Sequence, residues 1–143
     1  MQINYQEVGT IKVTDCIFCK IVSGEIPSIK IWEDEKHLAF LDVNPINPGH
    51  TLLIPKKHSD YIFDLEDKEY SELMLKAKEI AKLLKEKLNP KKVGTAIEGF
   101  GVPHIHIHIV PLNKGNELNP ERAKPMSKEE LNKIAKMIKE DGN

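Results

Sequence analysis

The feature that most constrains this chain is an alternating run of histidine and β-branched residues, His104-Ile105-His106-Ile107-His108-Ile109-Val110. Half of the six histidines lie in it, at every second position. Because side chains alternate between the two faces of a strand, the run predicts a strand with three imidazoles on one face and isoleucines packed into a core on the other. Pro103 and Pro111 flank the run, as prolines do at strand ends.

Three interpretations of this histidine row are open: an ordinary half-buried strand, a metal centre, or a nucleophilic active site. Same-face neighbours on a strand are about 6.8 Å apart, so His104 and His108 would be about 13 Å apart. That distance is too long for both to bind one zinc ion with bonds of about 2 Å. In the third interpretation His106, the middle ring, attacks an electrophile while its neighbours stabilise the developing charge, and phosphorus suits this chemistry.

The triad, followed by two apolar residues, resembles the signature of the histidine triad (HIT) family of nucleotidyl hydrolases and transferases. Three upstream segments also resemble that family, and the similarity covers roughly residues 15 to 112. The segments are Asp15–Ile21, Phe40–Pro45 and Pro48–His58. Runs of strands around one long helix already favour an α+β domain. The resemblance implies a five-stranded antiparallel sheet with that helix packed on it, and a homodimer joined through the helix and a strand edge.

The length of 143 residues suits one domain with a single core. We divide the chain into an N-terminal extension (1–14), a HIT-like domain (15–112) and a C-terminal segment with an amphipathic helix (113–143). The hydrophobic pattern and its flanking residues predict the individual elements. The predicted elements are an edge strand at Ile11–Val13, a helix capped by Asp15 and ended by Gly24, strands at 29–33, 37–42, 50–55 and 93–97, a long helix from Asp64 or Asp67 to about Leu88, and a C-terminal helix capped by Ser127.

Charge and hydropathy exclude several classes of partner. The net charge is −1 with acids and bases interspersed, which gives no footprint for long nucleic acids. There is no apolar run of the 18 or more residues that would span a membrane. The polar start, Met1–Glu7, lacks the apolar region of a signal peptide. We therefore expect a cytoplasmic protein whose partner is a small molecule.

Cys16 and Cys19 are the only cysteines. They are two buried free thiols, a redox pair, or half of a zinc site that needs two more ligands. A redox pair is disfavoured because no thioredoxin-like strand precedes them. The resemblance supplies the missing ligands, since HIT-like proteins with this cysteine pair use the histidines that correspond to His58 and His104. A closed set of four ligands implies a structural Zn²⁺.

The resemblance also implies a mechanism, in which His106 attacks the α-phosphate of a purine nucleotide conjugate and forms a nucleotidyl-histidine. His108 and His50 are expected to donate hydrogen bonds to phosphoryl oxygens. Asp42 is expected to bind the ribose hydroxyls, because a carboxylate accepts two hydrogen bonds. The expected substrates are phosphoramidates or dinucleoside polyphosphates. The walls around the base are expected to be Phe18, Ile21, Phe40 and Val43.

One segment departs from the family pattern. In Glu98–Pro103, Phe100 stands where HIT proteins often carry an amide, and Gly101 stands where they carry a hydroxyl residue. The contacts to the leaving group therefore do not follow from this segment, and the base is also open because apolar walls discriminate purines poorly. Two rival functions stay open: a zinc-stabilised nucleotide-binding module with little turnover, and a metal hydrolase in which zinc activates water.

Overall fold

The computed structural model describes residues 15–139. These residues form one five-stranded sheet and three α-helices, which confirms the predicted α+β class. The predicted extension 1–14 and the edge strand at 11–13 lie outside the described residues. The elements are α1 (Ile17–Ser23), β1 (Lys30–Glu33), β2 (His37–Leu41), β3 (Thr51–Pro55), α2 (Asp67–Leu88), β4 (Lys92–Ala96), β5 (Ile107–Leu112) and α3 (Lys128–Lys139).

The sheet has the strand order β1-β2-β3-β5-β4, and every neighbouring pair is antiparallel. The last histidine of the row lies in β5, between β3 and β4. His108 is paired with Leu52 of β3 on one side and with Ala96 of β4 on the other. The row therefore ends next to the middle of the sheet, with β2 beyond β3 on one side and the β4 edge on the other.

The predicted strand over the whole histidine row is wrong in its first half, because β5 begins only at Ile107. The β3–β5 register pairs Leu53 with Ile107, so Pro55 would come opposite Ile105. Proline has no N–H to extend the ladder. The chain leaves the sheet there, and the Ile105 N–H donates to the Ser59 carbonyl at 2.7 Å. At the other end, β5 continues through Pro111, which is paired only with β4.

The two faces of the sheet are covered by different hydrophobic clusters. The larger one packs the isoleucines of the histidine row against α2 and α3. The smaller one lies on the opposite face, under α1, and includes Phe18, Ile21, Phe40 and Leu52. The alternation in the sequence thus has its predicted result: the isoleucines are buried in one core, and His104 and His106 contact Phe18 on the other face.

Helix α1 begins differently from the prediction. Cys16 is the N-cap residue instead of Asp15, and its Sγ accepts a hydrogen bond from the Cys19 N–H. Gly24 ends the helix as predicted, with a left-handed φ of 86° that favours glycine. The cap places both cysteines in the first turn, close to the sheet.

Helices α2 and α3 bury the stripes that their periodicity predicts. In α2 the buried residues are Leu73, Ala77, Ile80 and Leu84. Ser127 caps α3, since its Oγ accepts from the Glu130 N–H at 3.1 Å. Helix α3 packs against α2 and β1, so its buried residues belong to the main core. Among the described residues, no helix combines the length and apolar character needed to cross a membrane.

Candidate active site and metal centre

Four side chains from separate parts of the chain meet beside α1. Cys16 and Cys19 come from its first turn, His58 follows β3, and His104 precedes β5. Their ligand atoms all lie within 4.8 Å of one another. Cys19 Sγ is 3.2 Å from His58 Nδ1 and 3.5 Å from His104 Nδ1, and Cys16 Sγ is 3.4 Å from His104 Nδ1. The four residues predicted as metal ligands are thus brought together.

These spacings fit a tetrahedral zinc ion. Bonds of about 2.3 Å to sulfur and 2.0 Å to nitrogen put the two donor atoms about 3.5 Å apart at a tetrahedral angle. His104 Nε2 donates to the Pro55 carbonyl at 2.8 Å, which leaves the Nδ1 lone pair facing the thiols. Such an outer hydrogen bond is typical of metal-binding histidines, because it fixes the ring and its tautomer.

Without a cation, this cluster favours neutral side chains. Burial, followed by the hydrogen bond and charge of Cys16, raises the pKa of Cys19 to about 12. Burial also lowers the pKa of His104. A divalent cation reverses this preference, since it binds the thiolate and the neutral imidazole. The donor set is therefore suited to Zn²⁺, and loading it would release protons.

An open cavity of about 1300 Å³ lies next to this centre. His106 and His108 line it, together with all five residues predicted to bind the nucleoside. Its floor is formed by the smaller hydrophobic cluster, and Asp42 stands on its wall at the end of β2. The predicted nucleoside residues in the wall are Phe18, Ile21, Phe40, Asp42 and Val43.

His106 is held in one tautomer by the backbone. Its Nδ1 is 2.7 Å from the carbonyl oxygen of His104, and a carbonyl only accepts, so Nδ1 carries the proton. In the neutral ring the lone pair is then on Nε2. The ring is 6% exposed, packs edge-on against Phe18, and lines the cavity. The Nε2 atom of the neutral ring is therefore unprotonated and is free to bond to an electrophile.

A hydrogen-bonded pair of histidines lies beside His106. The Ile46 N–H donates to His50 Nδ1 at 3.0 Å, so the proton of the neutral His50 ring is on Nε2. His50 Nε2 is 2.9 Å from His108 Nδ1 and donates to it. The neutral ring of His108 consequently carries its proton on Nε2, where it can donate to a ligand. The hydrogen bonds from the Ile46 N–H to His50 and from His50 to His108 thus fix a donor close to His106, with 5.1 Å between the ring centres of His106 and His108.

Burial keeps both rings of this pair neutral. It lowers the pKa of His50 to about 4, although the charge of Asp42 acts in the opposite direction. It also lowers the pKa of His108, helped by His106 and opposed by Asp42 and Glu98. Near pH 7 both rings are unprotonated on their acceptor nitrogens, as the hydrogen bonds require.

His50 was predicted to donate a hydrogen bond to a phosphoryl oxygen, but its surroundings in the structure favour another role. The ring is 2% exposed, and its Nε2 is directed to His108, with Asp42 Oδ2 at 3.6 Å. The prediction that it donates to a phosphoryl oxygen stays untested, but the contacts favour a positioning role through His108. The sequence pattern could not predict this role, because the group that sets the His50 tautomer is the backbone N–H of Ile46 in the loop before β3.

Other residues of the cavity wall were not predicted. The loop after β4 contributes Phe100, and α3 contributes Leu131 and Lys128. Ser28 also lines the cavity, and its Oγ is the buried side-chain polar atom without a hydrogen-bond partner in residues 15–139. The amphipathic pattern of α3 predicts that it packs on a core, but not on which strand, so its part in the cavity had no signal in the sequence.

Comparison with known proteins points to one family. Residues 23–115 match the HIT domain. The chain is 40% identical over 123 residues to an uncharacterized HIT-like protein of Borreliella burgdorferi, covering 75% of this chain and 88% of that protein. It is 36% identical over 132 residues to adenosine 5'-monophosphoramidase hnt1 of Schizosaccharomyces pombe, covering 83% of this chain and 98% of that protein.

The fold is also similar to solved structures. One is a Zn-bound histidine triad family protein from Mycobacterium smegmatis, with a TM-score of 0.77 and 31% sequence identity. The similarity covers 90% of this chain and 93% of that one.

Proposed function

Since the chain belongs to the HIT domain family, we propose that it is a nucleotide-binding hydrolase that cleaves nucleoside monophosphate conjugates at the α-phosphate. The observation that carries this proposal is the arrangement of protons around the cavity. The hydrogen bond to the His104 carbonyl gives His106 an Nε2 lone pair, and the pair with His50 gives His108 an Nε2–H. A nucleophile and a donor are thus next to each other in one cavity.

The proposed reaction has two steps. His106 Nε2 forms a bond to the α-phosphorus while the bond from phosphorus to the leaving group breaks, and the leaving group takes up a proton from solvent. Water then attacks phosphorus, the bond to His106 breaks, and a proton is released with the nucleoside monophosphate. His108 Nε2–H donates to a phosphoryl oxygen in both steps, which stabilises the charge of the transition state. His50 acts as a positioning residue that keeps His108 in the donating tautomer.

The nucleoside binds, in this proposal, between α1 and β2. Phe18 and Phe40, whose rings are 5.6 Å apart, offer apolar surface to a purine together with Ile21 and Val43. Asp42 Oδ1 accepts from the Asn44 N–H at 2.8 Å, which orients the carboxylate. Its remaining lone pairs can accept from the ribose hydroxyls.

A phosphoramidate is the substrate class that we favour. The support is the similarity to adenosine 5'-monophosphoramidase hnt1 of Schizosaccharomyces pombe, which spans 98% of that protein. A dinucleoside polyphosphate is the other class expected from the sequence. The cavity is open enough for either, so turnover has to decide between them.

We also propose that Cys16, Cys19, His58 and His104 hold a structural Zn²⁺. The spacing of their donor atoms and the hydrogen bond from His104 to Pro55 support this. The similarity to a Zn-bound family member from Mycobacterium smegmatis adds to it. The ion would fix the first turn of α1 to the segment before β5, and with it the carbonyl of His104 that orients His106.

A homodimer is proposed as the assembly. In the sheet of residues 15–139, β4 is an edge strand, and Leu75 on α2 is 62% exposed. An exposed strand edge and an apolar side chain on the adjoining helix are surfaces that a second copy can cover.

The test is turnover of adenosine 5'-phosphoramidate by the purified chain and by His106→Asn. We expect release of AMP by the parental chain, and a loss of at least about 10³-fold in the variant, because it lacks the nucleophile. A thermal shift with AMP should be the same for both. Binding of AMP without turnover by the parental chain would favour the nucleotide-binding module instead.

The metal hydrolase has one observation in its favour. Donor atoms of Asp42, His50 and His108 lie within 4.8 Å of one another, as a metal site requires. However, His50 and His108 already share a hydrogen bond at 2.9 Å, and a metal would have to replace its proton. A hydrolytic metal predicts immediate loss of turnover in chelator, whereas histidine nucleophilic catalysis continues until the structural zinc is lost and the fold loosens.

A further inference from the structure

The loop between β2 and β3 carries a residue of the site at each end. It covers residues 42–50, and the Asp42 N–H donates to the His50 carbonyl at 2.9 Å. In the middle of this loop, the Ile46 N–H donates to the His50 ring at 3.0 Å. The tautomer of His50, and through it that of His108, therefore depends on where the loop holds one backbone N–H.

A second segment holds this loop from the outside. Residues 113–127 join β5 to α3, and we call them the connecting segment. The Lys124 N–H donates to the Pro45 carbonyl at 3.3 Å, and the Met126 N–H donates to the Val43 carbonyl at 3.1 Å. These two hydrogen bonds tie the connecting segment to the first half of the β2–β3 loop.

One of these hydrogen bonds acts on the peptide unit that orients His50. The Pro45 carbonyl and the Ile46 N–H belong to the same planar peptide unit. Its oxygen accepts from Lys124, and its N–H donates to His50. Rotation of the unit would break both hydrogen bonds, so the connecting segment contributes directly to fixing the donor that sets the tautomer.

Arg122 holds the loop on the other side of Ile46. It is the only arginine among the 21 Lys and Arg residues of the chain. Its Nη2 donates to Asn47 Oδ1 at 3.0 Å, and its Nη1 donates to the Glu117 carbonyl at 2.9 Å. The planar guanidinium presents two donors in a fixed fork, which the ammonium of lysine cannot reproduce. Arg122 thus links the connecting segment to the residue that follows Ile46.

Asn47 passes this restraint on to His50 and to β5. Its carbonyl accepts from the His50 N–H at 3.0 Å, and its Nδ2 donates to the Pro111 carbonyl at 2.8 Å. The amide is therefore used on both sides, since Oδ1 accepts from Arg122 while Nδ2 donates to β5. A shift of Asn47 would move both the backbone of His50 and the neighbouring N–H that its ring accepts.

The connecting segment is itself folded around a buried carboxylate. Glu117 is 8% exposed, and its Oε1 accepts from the Asn113 N–H at 2.6 Å and from the Lys114 N–H at 3.1 Å. Its Oε2 lies 3.8 Å from Arg122 Nη2. These contacts hold the guanidinium in place before it reaches the loop, so the restraint on Asn47 comes from an ordered part of the molecule.

We propose that Arg122 is a positioning residue for the reaction, although it lies outside the cavity wall. It holds Asn47, and with it the Ile46 N–H, in the position that keeps His50 and His108 in their proposed tautomers. This inference rests on the proposed function and adds to it a residue that touches neither the substrate nor the histidines. Without the fork, part of the molecules would have a displaced loop, in which His108 does not donate from Nε2.

The first experiment compares kcat and KM for adenosine 5'-phosphoramidate in the parental chain, Arg122→Lys and the control Lys114→Gln. Arg122→Lys keeps the charge and removes the fork. Lys114→Gln removes a charge from the same segment, where the side chain is exposed and the hydrogen bond to Glu117 comes from the backbone. We expect kcat to fall about tenfold in Arg122→Lys, because a small displacement of a catalytic group is costly.

In the same variant KM should change less than about threefold, since the Met126 N–H still holds the end of the loop next to Asp42. Lys114→Gln should keep the parental kcat and KM. A parental kcat in Arg122→Lys, or an equal fall in Lys114→Gln, overturns the positioning role.

A double variant tests whether Arg122 acts through His50. If it does, adding Arg122→Lys to His50→Gln should change kcat by less than about twofold, because the group that Arg122 positions is already absent. If the two single defects multiply in the double variant, Arg122 acts by another route and the inference is overturned.

Nuclear magnetic resonance of the histidine ring nitrogens tests the inference without turnover. At pH 7 the parental chain should show His50 and His108 protonated on Nε2, as their hydrogen bonds require. In Arg122→Lys we expect a second tautomer in one or both rings, and in Lys114→Gln the parental one. Parental tautomers in Arg122→Lys overturn the inference and leave the proposed function standing. Absence of turnover by the parental chain, with tautomers that respond to Arg122→Lys, overturns the proposed function alone.

Discussion

At the scale of single residues, the site depends on where protons are held. A carbonyl fixes the proton of His106 on Nδ1, and a backbone N–H fixes that of His50 on Nε2. The types and spacing of the histidines predicted a nucleophile with flanking donors. They could not predict which ring contacts which, because two of the deciding partners, the His104 carbonyl and the Ile46 N–H, are backbone groups set by loop geometry.

The positioning role of His50 predicts a kinetic defect without a binding defect. In His50→Gln, His108 is no longer held in the tautomer that donates from Nε2. We expect kcat for adenosine 5'-phosphoramidate to fall about 10–100-fold, as for other residues that orient a catalytic group, while KM changes less than about threefold. The matched control is His37→Gln, a buried histidine paired with Asp34 away from the cavity. A parental kcat in His50→Gln, or an equal defect in His37→Gln, would contradict the role.

Buried neutral histidine also predicts a pH dependence of stability. The pKa of His50 is about 4 in the fold and 6.5 as a free group, so between these values the unfolded chain binds the extra proton. The contribution of His50 to the free energy of unfolding is therefore complete above pH 6.5 and is lost as the pH falls towards 4. The difference corresponds to at most about 3 kcal/mol. Urea unfolding at several pH values should show a shallower loss in His50→Gln, and parallel curves would count against it.

At the scale of elements, the largest difference between the prediction and the structure is the start of β5, and Pro55 explains it. The alternating row predicted a strand from position 104, but Pro55 on the neighbouring strand cannot pair with Ile105, so the strand begins only at Ile107. This break frees His104 to turn towards Cys16 and Cys19. Pattern within one segment cannot predict such an end, since it depends on the partner strand. The helix that carries both cysteines was predicted from local signals, although its N-cap is Cys16 and not Asp15.

The metal proposal predicts a stability defect in Cys16→Ser that depends on zinc. Serine is a good N-cap residue, so this change keeps the cap of α1 and removes only a thiolate. We expect about one zinc per parental chain, less in the variant, and a fall in Tm of about 10 °C. After exhaustive treatment with chelator the two proteins should melt together. A parental chain free of zinc, with a Tm that the substitution leaves unchanged, would show that the cysteines hold no structural ion.

At the scale of the whole molecule, each face of the sheet has a separate task. One face carries the main core with α2 and α3, and the other carries α1, the proposed metal ligands and the histidines of the cavity, to which α3 adds part of the wall. The isoleucine–histidine alternation predicted this division, because period-two patterning fixes which side chains share a face. The contributions of α3 and of Phe100 to the cavity could not be predicted, since they depend on how distant segments pack.

The assembly is testable on an exposed residue of α2. Leu75 is 62% exposed in the single chain, so Leu75→Glu should leave the fold of one copy intact. If two copies associate through α2 and the β4 edge, the parental chain sediments at twice its mass of 16.3 kDa, and the variant sediments at that mass. A parental monomer, or a variant that stays dimeric, would exclude this surface.

The central claim is that His106 bonds covalently to phosphorus, and mass spectrometry of the intact protein tests it most directly. The parental chain is mixed with adenosine 5'-phosphoramidate, quenched in base within milliseconds, and digested to locate any added nucleotidyl group. The account predicts one AMP-sized addition, labile in acid, on His106 and absent in His106→Asn. Full turnover of this substrate by His106→Asn, or a nucleotidyl group found on another residue, would contradict it.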